Sequence, residues 1–232
     1  MAGLMTHMVI AREIIKQFPE AGIRREGLFY LGNLAPDAIH AREGYIRAYK
    51  KHTHFRDDIP DQEFAQKEHQ AVYRRRLEKF AAENRERGDG LEDLYRGYVA
   101  HILTDELFLL TVRREFCRIM ENMGILQEDR RFFEFILRDM NRNDLLLVKN
   151  YEEMEGIRRC IEQTPVCSVG ELLSVQEMKD SKEWLLRYHF EEEHEFLEPV
   201  YISYARTMEF IQEAARAIAE KLAGKESPFR IS

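Results

Sequence analysis

Near the end of the chain Tyr201, Tyr204, Met208, Ile211, Ala215, Ile218 and Leu222 recur at alternating steps of three and four. That is the spacing of one buried face of an α-helix, and a stripe this regular is covered most simply by other helices. No run combines β-branched residues, strict alternation and hairpin turn residues, so the sequence predicts an all-α protein: a single multi-helix domain over 1–232. The remaining helices are expected at 5–18, 61–86, 91–123, 127–149, 151–163 and 174–195. Pro19 with Gly22, Gly88 to Gly90, Gly124, Pro165, Ser168 to Gly170, and Gly224 with Pro228 act as breaks. In "LGNLAPDA" (31–38) the Gly-Asn and Ala-Pro steps argue against an uninterrupted helix and put Asp37 at a turn. Within the less regular stretch 40–60, "KHTHFRDDIP" reads as a loop.

Charge excludes several functions. The formal net charge of −7 speaks against an extended nucleic-acid surface, which needs dense lysine and arginine. The basic run "YRRRLEK" (73–79) fans around a helix and meets water. No apolar run approaches the ~20 residues that cross a bilayer, and no basic-then-apolar leader opens the chain, so a cytoplasmic protein without a transmembrane segment is expected. Cys117, Cys160 and Cys167 lack CxxC spacing and read as small core residues.

The stretch "GYVAHILTDELF" (97–108) places His101 and Asp105 one turn apart on a strongly apolar helix. Either the two bond each other inside the core or they share a metal ion. His7 on the first helix could be a satisfied core residue, Asp37 could cap the next helix, and His54 alone is uninformative. Together they form a sparse imidazole and carboxylate set suited to zinc or another divalent transition metal. Late in the chain, "YHFEEEHEFLE" (188–198) pairs His189 with Glu193 and His194 with Glu198 at i,i+4, but its acid-rich context reads as a solvated face. Its "HEFLE" lacks the second histidine of an HExxH zinc motif. Phe132, Phe133 and Trp184 are treated as core or groove wall.

In order along the first half of the chain, "THMVIA" (6–11), "LGNLAPDA" (31–38), "THFRD" (53–57) and "GYVAHILTDELF" (97–108) resemble the zinc-dependent phospholipase C family, which is related to single-strand-specific zinc nucleases. The resemblance implies an all-α domain enclosing one or two metal ions and acting as a phosphoesterase on a small-molecule or lipid-like phosphoester. It implies that Asp37, His54, His101 and Asp105 surround one ion, and that His7 with a bridging Asp105 holds a second. Asp37 would orient or deprotonate the attacking water, whose pKa the metal lowers. The chain departs from the family after the helical aspartate, where Leu109 and Thr111 stand in place of a further histidine; a third ion is not expected. The competing expectation is a non-catalytic helical protein with a structural or sensing metal site. A phosphohydrolase built on an adjacent His-Asp pair is not expected, since no such dipeptide occurs.

Overall fold

Two of the helices approach until backbone meets backbone. A computed structural model describes residues 2–60, 63–64 and 66–224, and at its centre α2 (Glu26–Ala38) lies against α5 (Glu92–Leu110). A Cβ added at Gly32 would stand 2.0 Å from the Leu94 carbonyl oxygen, and one at Gly97 would stand 2.1 Å from that of Phe29. Only glycine permits so short an interaxial distance. This contact fixes how far the acid on α2 lies from the histidine and acid on α5.

Around this pair the chain adds α1 (Leu4–Gln17), α3 (Arg47–Thr53), α4 (Lys67–Asn84), α6 (Val112–Asn122), α7 (Arg130–Asn150), α8 (Met154–Gln163), α9 (Val175–Leu186) and α10 (Tyr204–Leu222). Among the described residues the only β pairing is an isolated bridge between Val169 and Leu173, so the all-α expectation holds. One hydrophobic core runs from Met5 and Met8 through Phe29, Leu31 and Tyr98 to Phe210 and Ile218. The α10 stripe lands on it as its spacing predicts, with Ile211, Ala215 and Ile218 fully buried. Among the described residues no helix is long and apolar enough to cross a membrane. The three cysteines are free and half-buried, packed at the edge of the core rather than inside it.

Several expectations need correction. The helix α2 runs unbroken through Gly32-Asn33 and Ala35-Pro36, which puts Asp37 in its last turn instead of at a loop. Residues 28–36 are all buried, and that tertiary burial outweighs the local preference of glycine and proline. Pro36 cannot donate to the carbonyl one turn back, and the burial of this face outweighs that loss. A helix over Arg47–Thr53 takes in the first three residues of "KHTHFRDDIP", so the loop expected there begins later. The long helix expected over 91–123 breaks at Thr111, whose hydroxyl donates to the Leu107 carbonyl and whose backbone leaves the helical region at ψ −89°. The break turns Val112, Phe116 and Met120 inward. At the late end α9 stops at Leu186, a π-helical turn covers Arg187–Glu191, and no helix follows until Tyr204.

Candidate metal centre

Four helices each bring part of one buried cage. Helix α1 brings His7, and its first turn is held from outside, because Gly3 at its start has no capping side chain. The Asp144 carboxylate on α7 takes over, accepting from the Met5 and Thr6 N–H groups at 3.0 and 3.1 Å and from the Thr6 hydroxyl at 3.1 Å. Burial pushes the Asp144 carboxyl up to about 6 against these bonds. Helix α5 brings His101 and Asp105, while α2 brings Asp37 and the Asn33 carbonyl.

His54 closes α3 as its C-cap, and two hydroxyls fix that end. Thr53 Oγ1 donates to the Pro36 carbonyl at 2.9 Å, and the Tyr98 hydroxyl donates to the Thr53 carbonyl at 2.5 Å. Phe55 follows in the left-handed region at φ 57°, a position that usually takes glycine. Its ring contacts Phe80 and Tyr98, at centroid separations of 5.0 and 5.8 Å, which offsets the strain.

The expected set comes together. His7 Nε2 lies 3.3 Å from Asp105 Oδ1; His54 Nε2 lies 3.4 Å from Asp37 Oδ1 and 3.6 Å from Asp105 Oδ2. His101 Nε2 stands 3.9 Å from Asp105 Oδ2, so the two do not simply bond each other. The rings of His7 and His101 stack at 3.9 Å and 2°. Donor atoms within 4.8 Å of one another form two groups, His7 with His101 and Asp105, and Asp37 with His54 and His101. His101 belongs to both. Tetrahedral coordination at ~2.0–2.1 Å puts ligand atoms roughly 3.3–3.5 Å apart, and the shorter separations here already match.

Protonation sharpens the point. His101 Nδ1 lies 2.7 Å from the Asn33 carbonyl and His54 Nδ1 lies 3.0 Å from the Lys50 carbonyl. A carbonyl only accepts, so both rings carry hydrogen on Nδ1, and a neutral ring then has a bare lone pair on Nε2. Burial keeps both rings neutral: with help from the Lys50 charge it brings His54 down to about 4, and with help from His7 it holds His101 well below the usual histidine range. Burial alone would raise Asp37 and Asp105. Both nevertheless sit low and ionised, Asp37 chiefly through the positive charge of Lys50. Lone pairs of imidazoles therefore face carboxylate oxygens across less than 4 Å. Consistently, His7 Nδ1 and Nε2, His54 Nε2 and His101 Nε2 are buried without a hydrogen-bond partner. The Lys50 ammonium offsets part of this lone-pair repulsion at Asp37 but gives the imidazole lone pairs no partner, so the residues fit a divalent metal.

A cleft of about 290 Å³ opens onto this cage at His54 and Asp105. Its walls carry Arg47, Lys50, Lys51, Arg56 and Arg113 on one hand and apolar side chains such as Tyr73, Ile102, Phe133, Leu137 and Met140 on the other. Lys50 Nζ donates to Asp37 Oδ1 at 2.5 Å. Phe133 is thus groove wall, while Phe132 is core and Trp184 stacks half-exposed on Tyr188.

Other candidates stay outside. His52 is exposed and pairs with Asp57 at 2.9 Å. The pairs His189 with Glu193 and His194 with Glu198 share no helical face, because the helix ends first; His194 Nε2 bonds the Tyr188 carbonyl. In "YRRRLEK" two arginines are structural: Arg74 pairs with Glu106 at 2.9 Å, and Arg76 donates to the Asp57 carbonyl at 2.7 Å.

His189 is buried, not solvated as expected, and burial lowers it to about 4. The unfolded chain protonates it near the model-peptide value of ~6.5, whereas the native ring stays neutral down to about 4. Below ~6.5 the unfolded state binds more protons, so stability is full above that pH, falls towards 4 and then levels. Metal-free His54 acts with the same sign. Urea midpoints measured across this window should drop, and His189→Gln should remove roughly 1–3 kcal/mol of the drop.

Sequence reasoning missed Asn33, Lys50 and Asp144. Only Asp144 left a trace, as an acid beside the apolar run Leu145 to Val148. Comparison of the chain with known protein families, with curated proteins and with solved structures gave no match.

Proposed function

We propose that the protein is a metal-dependent phosphoesterase whose centre is the cage of His7, Asp37, His54, His101 and Asp105. One observation carries the reading: imidazole lone pairs buried without partners converge on two ionised carboxylates at the floor of a cationic cleft. Asp37, His54 and His101 with one oxygen of Asp105 would hold one divalent transition metal, zinc or a neighbour in the series, and His7 with the other oxygen of Asp105 a second. Asp105 turns one oxygen to His7 and the other to His54 and His101, the disposition of a bridging carboxylate. When bound, such ions lower the pKa of water and draw charge from phosphoryl oxygens.

The chain's own residues supply the rest. The carbonyls of Asn33 and Lys50 fix the tautomers of His101 and His54. Asp37, held ionised, suits orienting a water through an accepted hydrogen bond better than removing its proton, since a weakly basic carboxylate is a poor proton acceptor. The apolar wall around Phe133, Leu137 and Met140 accommodates the non-phosphoryl part of a small-molecule or lipid-like ester.

Loading with zinc, manganese, nickel or ferrous iron should yield hydrolysis of phosphomonoesters or phosphodiesters that chelation abolishes and metal restores. No turnover above the metal-free protein with any of these ions would overturn catalysis. The complete burial of His7 and His101 favours a second reading, a closed structural or sensing metal site. That reading requires chelation to unfold the protein while no ester is cleaved.

A further inference from the structure

Lys50 is the one cationic side chain of the cleft bonded to a cage carboxylate among the described residues. Its ammonium has three donors, and Asp37 Oδ1 is its single acceptor there. The side chain is largely buried, at 14% exposure, and lines the cleft beside His54, the residue one helical turn further along the chain. From this placement, and resting on the metal-centre reading above, we infer that Lys50 binds a phosphoryl oxygen of the substrate directly.

Charge balance supports the assignment. One divalent ion would only cancel the two carboxylates of the cage, Asp37 and Asp105. The Lys50 ammonium then adds positive charge at the mouth of the site. Other basic side chains, Arg47, Lys51, Arg56 and Arg113, also line the cleft, and Glu106 on its wall is paired with Arg74. These groups shape a field that attracts anions. Lys50 alone among the basic wall residues is tied to the same carboxylate that is offered to the metal. A ligand ion at Asp37 draws electron density from its oxygens and weakens their hold on the ammonium. The bond is then open to exchange for an anionic oxygen arriving along the cleft.

The role differs from that of a cage ligand. Removing Lys50 takes away no metal donor and removes a cation that competes for Asp37, so metal uptake should stay equal or become tighter. Removing it should weaken anion binding, because a charge-assisted hydrogen bond is lost. Arginine retains the charge and should retain most of the binding, whereas methionine keeps only the aliphatic stem.

The test uses the full-length chain with Lys50→Met, Lys50→Gln and Lys50→Arg, each checked for native helicity by circular dichroism. Bound metal is counted by elemental analysis, and inorganic phosphate is titrated calorimetrically into the zinc-loaded proteins. The expected result is unchanged or tighter zinc uptake in all three. Phosphate binding should be weakened about ten-fold or more in the Met and Gln variants and only a few-fold in the Arg variant. Phosphate bound equally well by wild type and Lys50→Met, both zinc-loaded, would overturn the Lys50 assignment and leave the metal centre standing. A folded wild-type chain that takes up no metal would overturn the metal-centre reading and this inference with it.

Discussion

Alanine at Gly97 should destabilise the protein by about 3 kcal/mol or more, because the added methyl group has nowhere to go. Its Cβ would stand 2.1 Å from the Phe29 carbonyl oxygen and 3.0 Å from the Asn33 nitrogen, both rigid backbone of α2. The helices must part, and with them His101 on α5 and the Asn33 carbonyl and Asp37 on α2. A melting-temperature loss on the order of 10 °C is expected for a domain of this size, together with lost metal uptake in whatever fraction remains folded. Gly156 in α8 gives the internal control. An added Cβ there meets nothing within 4 Å and its backbone is ordinary helix, so Gly156→Ala should stabilise by up to ~1 kcal/mol. Thermal melts of the two variants should therefore move in opposite directions; parallel shifts would contradict the packing argument.

His101→Leu should abolish high-affinity metal binding altogether, whereas His7→Leu and His54→Leu should each remove one donor group and leave the other. The asymmetry follows from His101 belonging to both groups. In the metal-free protein the same substitution should change stability little, because it removes a buried Nε2 without a partner together with the Nδ1 bond to the Asn33 carbonyl, and the two effects oppose each other. Calorimetric zinc titration and urea melts of the metal-free protein read the two effects separately. A core-packing role for His101 makes the contrary prediction, lost stability with metal uptake intact.

Periodicity revealed what depends on side chains close in sequence. The α10 stripe and the His101 to Asp105 turn both follow from a 3.6-residue repeat, and both stand in the structure where the pattern puts them. Pro36 misled because its local cost is small beside the burial of the whole face from Leu28 to Pro36. The short helix α3 escaped notice because its charged residues carry no apolar stripe; what holds it is the tether of Thr53 to Pro36 and Tyr98. Asn33 and Asp144 act through partnerships spanning 68 and 139 residues, with backbone groups that no side-chain pattern encodes. The imidazoles and carboxylates of the cage were legible; the carbonyls that set their tautomers were not.

Anomalous scattering from crystals grown with zinc bears most directly on the central claim, that this cage of lone pairs is built around a cation. The account predicts a strong peak within coordination distance of His101 Nε2, flanked by Asp37 and His54 or by His7 and Asp105, with a second peak beside His7 and Asp105 when two ions bind. Crystals at saturating zinc with no peak in the cage, and with the three Nε2 atoms still facing the carboxylates, would contradict it.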